Sequence, residues 1–112
     1  MSSNEPAYVN TPTYALTATT SSALITFTDA DAANYNRNLI VTNLGTSPVA
    51  IATSTSSGLT VSFPGSATVP VSCTVIAPGS IQVFKRDDKD KYLAAITNSG
   101  SSQIIVKLAT GV

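Results

Sequence analysis

Val75-Ile76-Ala77-Pro78-Gly79-Ser80-Ile81-Gln82-Val83-Phe84 is the stretch on which the fold class turns. After the turn residues, Ile81 and Val83 alternate with Ser80 and Gln82. That two-residue period belongs to a strand with one face toward a core, because successive side chains of a strand point to opposite sides. In Pro78-Gly79, proline presets φ for the first central residue and glycine accepts a positive φ at the second. The pair therefore predicts a type II turn between two strands.

The same grammar extends in both directions. Leu59, Val61 and Phe63 alternate with Thr60 and Ser62, and Ile104, Val106 and Leu108 alternate through Ile105 and Lys107. Val, Ile and Thr dominate these runs, as suits a pleated surface. Asn43-Leu44-Gly45, Ser57-Gly58, Phe63-Pro64-Gly65-Ser66 and Asn98-Ser99-Gly100 punctuate them. Pro64-Gly65 reads as a second type II turn and Asn98 to Gly100 as a short hairpin loop. No window carries a helical stripe. Strands are expected near 13–19, 22–28, 37–43, 48–54, 59–63, 69–76, 80–86, 91–97 and 102–108. About eight or nine short antiparallel strands at this spacing predict an all-β single domain, a β-sandwich or small barrel of jelly-roll or Ig-like type. The domain is expected to span 13–112. Residues 1–12, with Pro6, Pro12, Tyr8 and Val9, read either as a frayed terminus or as an extended arm that docks on a neighbouring subunit.

The 112 residues include six basic and six acidic side chains, for a net charge of zero. A nucleic-acid binder needs a basic surplus to neutralise phosphates, so nucleic acid is not an expected partner. The chain is 43% hydrophobic and only 11% charged, which leaves Ser and Thr to carry solubility. A surface so poor in ions suits long-lived contacts, because few charges must be desolvated when it is covered. No run approaches the ~20 apolar residues of a membrane helix, and the polar start, Met1 to Pro6, lacks the features of a signal peptide. No membrane partner is expected, and synthesis is expected in a cytoplasm. The lone Cys73 reads as a buried thiol at an apolar strand position.

Histidine is absent, which removes the commonest general base and metal ligand. Tryptophan is absent too, and Tyr8, Tyr14, Tyr35 and Tyr92 read as core edges or contact residues. The carboxylates fall mostly in two loops with nothing to raise a pKa, so catalysis and cofactors are not expected. Asp29-x-Asp31-x-x-Asn34 resembles part of a calcium loop but lacks its glycine and distal glutamate, and reads as an Asx-rich turn. Lys85-Arg86-Asp87-Asp88-Lys89-Asp90-Lys91 holds seven of the twelve charged residues. It reads as an exposed hairpin tip, either merely solvated or a polar patch whose alternating signs orient a partner. Candidate contact residues are therefore Tyr8, Val9, Tyr14, Lys85, Arg86, Asp87, Asp88, Lys89, Asp90 and Lys91. Leu39-Ile40-Val41 and Leu93-Ala94-Ala95-Ile96 place apolar side chains on both faces of a strand, which requires a second layer or another chain over the outer side.

Asn38-Leu39-Ile40-Val41-Thr42-Asn43-Leu44-Gly45 with Pro48-Val49-Ala50, then Ala77-Pro78-Gly79, Tyr92 to Gly100 and Gln103 to Leu108 with Gly111, resemble the small all-β structural proteins of tailed bacteriophages. The likeness covers about residues 36–111, its motifs are β-turn chemistry, and the run 85–91 departs from the shorter turn of that pattern. It implies a virion component without catalytic or ligand residues. The leading expectation is a capsid decoration or cement protein on the outer capsid surface. Its partners would be the major capsid protein and copies of itself, a homotrimer being expected. A carbohydrate-binding or host-adhesion module of a fibre, and a tail or neck component, are the other classes.

Overall fold

The computed structural model describes residues 13–28, 38–65, 71–87 and 89–109. Within them lie eight strands: β1 Thr13–Ala18, β2 Ala23–Thr26, β3 Asn38–Asn43, β4 Val49–Ser54, β5 Thr74–Ile76, β6 Ile81–Lys85, β7 Tyr92–Thr97 and β8 Ser102–Ala109. They form two four-stranded sheets, β1-β8-β3-β6 (sheet A) and β2-β7-β4-β5 (sheet B), antiparallel throughout. The pairs are nested: β4 with β5, β3 with β6, β2 with β7, β1 with β8. The chain is thus one long antiparallel ribbon rolled over on itself. Lateral pairing of β3 with β8 and β4 with β7 closes the roll into a sandwich. This is the jelly-roll order, one of the expected architectures, and not a closed barrel.

The alternating runs build the core. Leu39, Val41, Ile104, Val106 and Leu108 from sheet A face Ile25, Val49, Ile51, Ile76, Leu93 and Ala95 from sheet B, and all are buried. Each of the larger side chains contributes about 1.5–3 kcal/mol on burial. A one-residue slip of β8 would turn its whole buried set outward, so the register is tightly specified. Ala77-Pro78-Gly79-Ser80 forms the expected turn: Gly79 has φ 77° and the Ser80 N–H bonds the Ala77 carbonyl at 3.1 Å.

One end of the sandwich is knitted by buried polar groups. The fully buried Asn43 donates through Nδ2 to the carbonyls of Ser47 (2.9 Å) and Ile76 (3.1 Å), and its Oδ1 accepts from the Gly45 N–H (3.0 Å). A buried amide with its partners in place ties β3 to β5 across the sheets. Ser102 Oγ bonds the Ser47 carbonyl at 2.8 Å and accepts from its N–H at 2.9 Å. Gly45 passes so close to Ser102 that a β-carbon on it would lie 2.5 Å from the Ser102 Cα, which is why glycine stands there.

Several expectations are corrected. Residues 59–63 keep their alternation but pair with no described strand. Of the strand expected at 69–76 the described part, 71–76, is strand only over Thr74–Ile76, while 69–70 lie outside the described residues. Every connection except β4 to β5 crosses between sheets, so Asn98 to Gly100 and 85–91 are inter-sheet connections rather than hairpins. Gly65 lacks a positive φ, so Pro64-Gly65 is not a type II turn. Cys73 is only half-buried. The Asp29 to Asn34 stretch lies outside the described residues.

Candidate functional site

Two outer faces and one charged loop are the places where this sandwich meets its surroundings. On sheet B, the outward residues of the central strands are Ala50 and Ala52 on β4 and Ala94 and Ile96 on β7. Leu59, Val61 and Phe63 lie over them, with Val61, Ala50 and Ala94 fully or nearly fully buried. The Val61 N–H bonds Ser22 Oγ at 3.1 Å, pinning the covering segment to the β1–β2 connection. The two-residue period of 59–63 therefore comes from packing across a sheet, with Thr60 and Ser62 on the other side, rather than from a hydrogen-bonded ladder. The apolar outer side of Leu93-Ala94-Ala95-Ile96 is covered by the chain itself.

Sheet A differs. Its outward residues form cross-strand rows: Ala15, Ile105, Thr42 and Ile81 in one, Thr13, Lys107, Ile40 and Val83 in the next. No described segment packs over them. Ile81 is 64% and Val83 65% exposed, while Ile40 and Ile105 are half-buried. Lys107 and Lys85 lie toward one end of the face. The alternation of β6 is thus inverted relative to the expectation. Ile81 and Val83 point away from the core, and Phe84 takes the inward phase opposite Leu39. A contiguous apolar surface of this kind marks a contact site more reliably than scattered exposed residues do.

The described residues of the charged loop are tied together by hydrogen bonds. Arg86, expected on an exposed tip, is 1% exposed, and its guanidinium donates to the carbonyls of Asp87 (3.1 Å) and Asp90 (2.8 Å). A buried guanidinium is tolerable only with such acceptors around it. The Asp90 N–H bonds the Asp87 carbonyl at 3.0 Å, and Asp87 Oδ1 accepts from the Lys89 N–H at 3.1 Å. Thr53 Oγ1 donates to Asp90 Oδ2 at 2.9 Å, fastening the loop to β4. Lys85, Asp87, Lys89 and Lys91 remain exposed on this framework. Beside it, a cavity of about 330 Å³ opens between the sheets, lined by Leu39, Ile51, Cys73, Phe84 and Arg86 among others. Its lining is mostly apolar, and the guanidinium at its edge is engaged in holding the loop.

Of the other candidate residues, Tyr14 is half-buried at the rim of the core. Its ring stands edge-on to Phe27 with centroids 5.2 Å apart, and its hydroxyl accepts from the Thr28 N–H at 3.4 Å. Tyr8, Val9 and Asp88 lie outside the described residues. Among the described residues no group of three or more acidic, cysteine or histidine side chains is placed to hold a metal ion. Ile81, Val83 and Ile105 are not among the expected contact residues, whereas Ile40 is already marked by the two-faced run Leu39-Ile40-Val41. For Ile40 and Ile105 a signal was present: each interrupts a strict alternation with an apolar residue at the outward phase. No protein-family model matches this chain, and no curated protein and no solved structure matches it either.

Proposed function

We propose that this chain is a non-catalytic structural protein of a bacteriophage virion, which binds the outer surface of the capsid and bridges neighbouring capsid subunits. The supporting observation is the outer face of sheet A, where Ile40, Ile81, Val83 and Ile105 have no described segment over them. The central strands of sheet B are covered on their outer side by the chain's own residues, and of the large apolar side chains described on that sheet only Leu24 and Val75, on its edge strands, stand exposed. The low charge of the chain favours the same reading, since little desolvation opposes covering such a face. Jelly rolls recur in viral capsid proteins, an analogy at the level of fold only. In this reading the apolar centre supplies burial, and Lys85 with Lys107 at one end fixes orientation against carboxylates of the capsid. The partners are the major capsid protein and other copies of this chain, and no cofactor takes part.

The test is co-sedimentation of the purified protein with expanded, DNA-free heads of the phage that encodes it. Saturable binding is expected, with a stoichiometry fixed by the number of capsomers, and Ile105→Lys should abolish it without unfolding the protein. Absence of binding to heads sinks the capsid reading. Binding to isolated tails instead would move the protein to a tail or neck.

A further inference from the structure

We infer that β6 is a self-pairing edge, which joins two copies of this chain through an antiparallel β6–β6 contact about a two-fold axis at Val83. β6 ends sheet A and has β3 as its only described neighbour. The Asn43 N–H bonds the Ser80 carbonyl, and the Gly79 N–H bonds the Asn43 carbonyl, so Asn43 directs its main chain toward β6. Main-chain direction alternates along an antiparallel ladder. With the register Leu39 to Phe84, Val41 to Gln82, it follows that Gln82 and Phe84 bond inward to β3. Ile81, Val83 and Lys85 then present their N–H and C=O groups along the open edge. These are also the three residues whose side chains stand exposed on the outer face.

An open, apolar edge of five residues without proline is a template for another strand. What selects a second copy is self-complementarity. A two-fold at Val83 sets Val83 opposite Val83 of the other copy, and Ile81 opposite Lys85, twice. Each opposed pair uses outward-pointing main-chain groups, giving about six new hydrogen bonds in good alternation. The valines and the isoleucine–lysine stems pack as cross-strand neighbours, and the two ammonium groups fall at opposite ends of the contact, where they do not repel. The two sheet A faces then run on into one another as a single eight-stranded surface, doubling the apolar area available to a partner. One strand pair covers less than the ~800 Å² per partner of a standard interface, so the dimer is weak, with a dissociation constant of about 10–100 μM.

The inference does not depend on the capsid reading, and its experiment contains no capsids. Sedimentation velocity over a concentration series should give a monomer–dimer equilibrium for the wild-type chain. Val83→Lys opposes two charges at the axis, and Val83→Pro deletes an N–H that β3 does not use. Both should raise the dissociation constant at least about tenfold while circular dichroism stays that of a folded sheet. Should the proline variant unfold, the lysine variant alone decides. In a Cys73→Ser background, oxidised Val83→Cys should form a disulfide-linked dimer, since opposed residues of a hydrogen-bonded pair lie about 5.5 Å apart at Cα. Gln82→Cys, off the axis and on the other face, should not. A wild-type chain that stays monomeric at about 500 μM, or an oligomer indifferent to Val83→Lys, overturns the inference.

Discussion

Ala94 on β7 and Ile105 on β8 occupy equivalent places, each on the outward side of an interior strand next to an edge strand. Ala94 is wholly buried and Ile105 half-buried. The difference lies in side-chain size and in the connections that leave each sheet. Ala50, Ala52 and Ala94 leave a shallow trough on sheet B, and the long β4–β5 connection lays Leu59, Val61 and Phe63 into it. On sheet A, Ile40, Ile105, Val83 and Ile81 fill that depth themselves, and no described segment lies above them. One face is covered over its central strands by its own sequence, leaving Leu24 and Val75 exposed at its edges, and the other carries the side chains of a core with nothing described above it. Outward apolar positions thus pack under the chain itself on one sheet and stand without a described cover on the other.

The sharpest way to break this comparison is to place the same charge on both faces. Ala94→Lys should destabilise the fold by more than about 4 kcal/mol in urea denaturation, because an ammonium group would be forced under the covering segment without an acceptor. Ile105→Lys should change stability by less than about 1 kcal/mol in the same assay, because its site opens to solvent. Similar losses at the two sites would mean that the face of sheet A is also covered. Val61→Ala, which thins the cover without removing it, should cost about 1–2 kcal/mol by loss of buried methyl groups. The smallest effect is expected for Thr53→Ala. It removes the hydroxyl that holds Asp90 and should cost about 0.5–1.5 kcal/mol, with amide exchange rising in 86–91 while the faces stay unchanged.

Strand positions were legible because alternation is a local property. The runs at 38–43, 81–85, 92–97 and 102–109 read directly, as did the Pro78-Gly79 turn. Strand partners were not legible, since rolling the ribbon places neighbours in the sheet far apart in sequence. From that one gap come the misreadings of Asn98 to Gly100 and of 85–91 as hairpins. The inversion of β6 was hidden for the same reason: Ile81 and Val83 show a buried face only by assumption, and the true inward residue is Phe84. Leu59 to Phe63 misled because a segment packed across a sheet shows the same period as a strand paired within one. Arg86 could not be separated from its exposed neighbours by composition, since its burial depends on carbonyls of its own loop that converge only in three dimensions.

The nested pairing also orders events in time. Among the described strands only β4 and β5 are consecutive and pair directly, and even they are separated by the covering segment. Each outer pair of the ribbon encloses all the inner ones, so its closure is cheap only after they have formed, since the entropy of closing a loop grows with its length. Folding is therefore expected to spread from the β4–β5 region outward to β1 and β8, slowly for a chain of this size. Stopped-flow measurements should find that truncating Val49 or Ile76 slows refolding, whereas truncating Leu16 mainly quickens unfolding. Among the described strands the pair β1 and β8 thus meets last, and a nascent copy is expected to have no stable sheet A until β8 has been made.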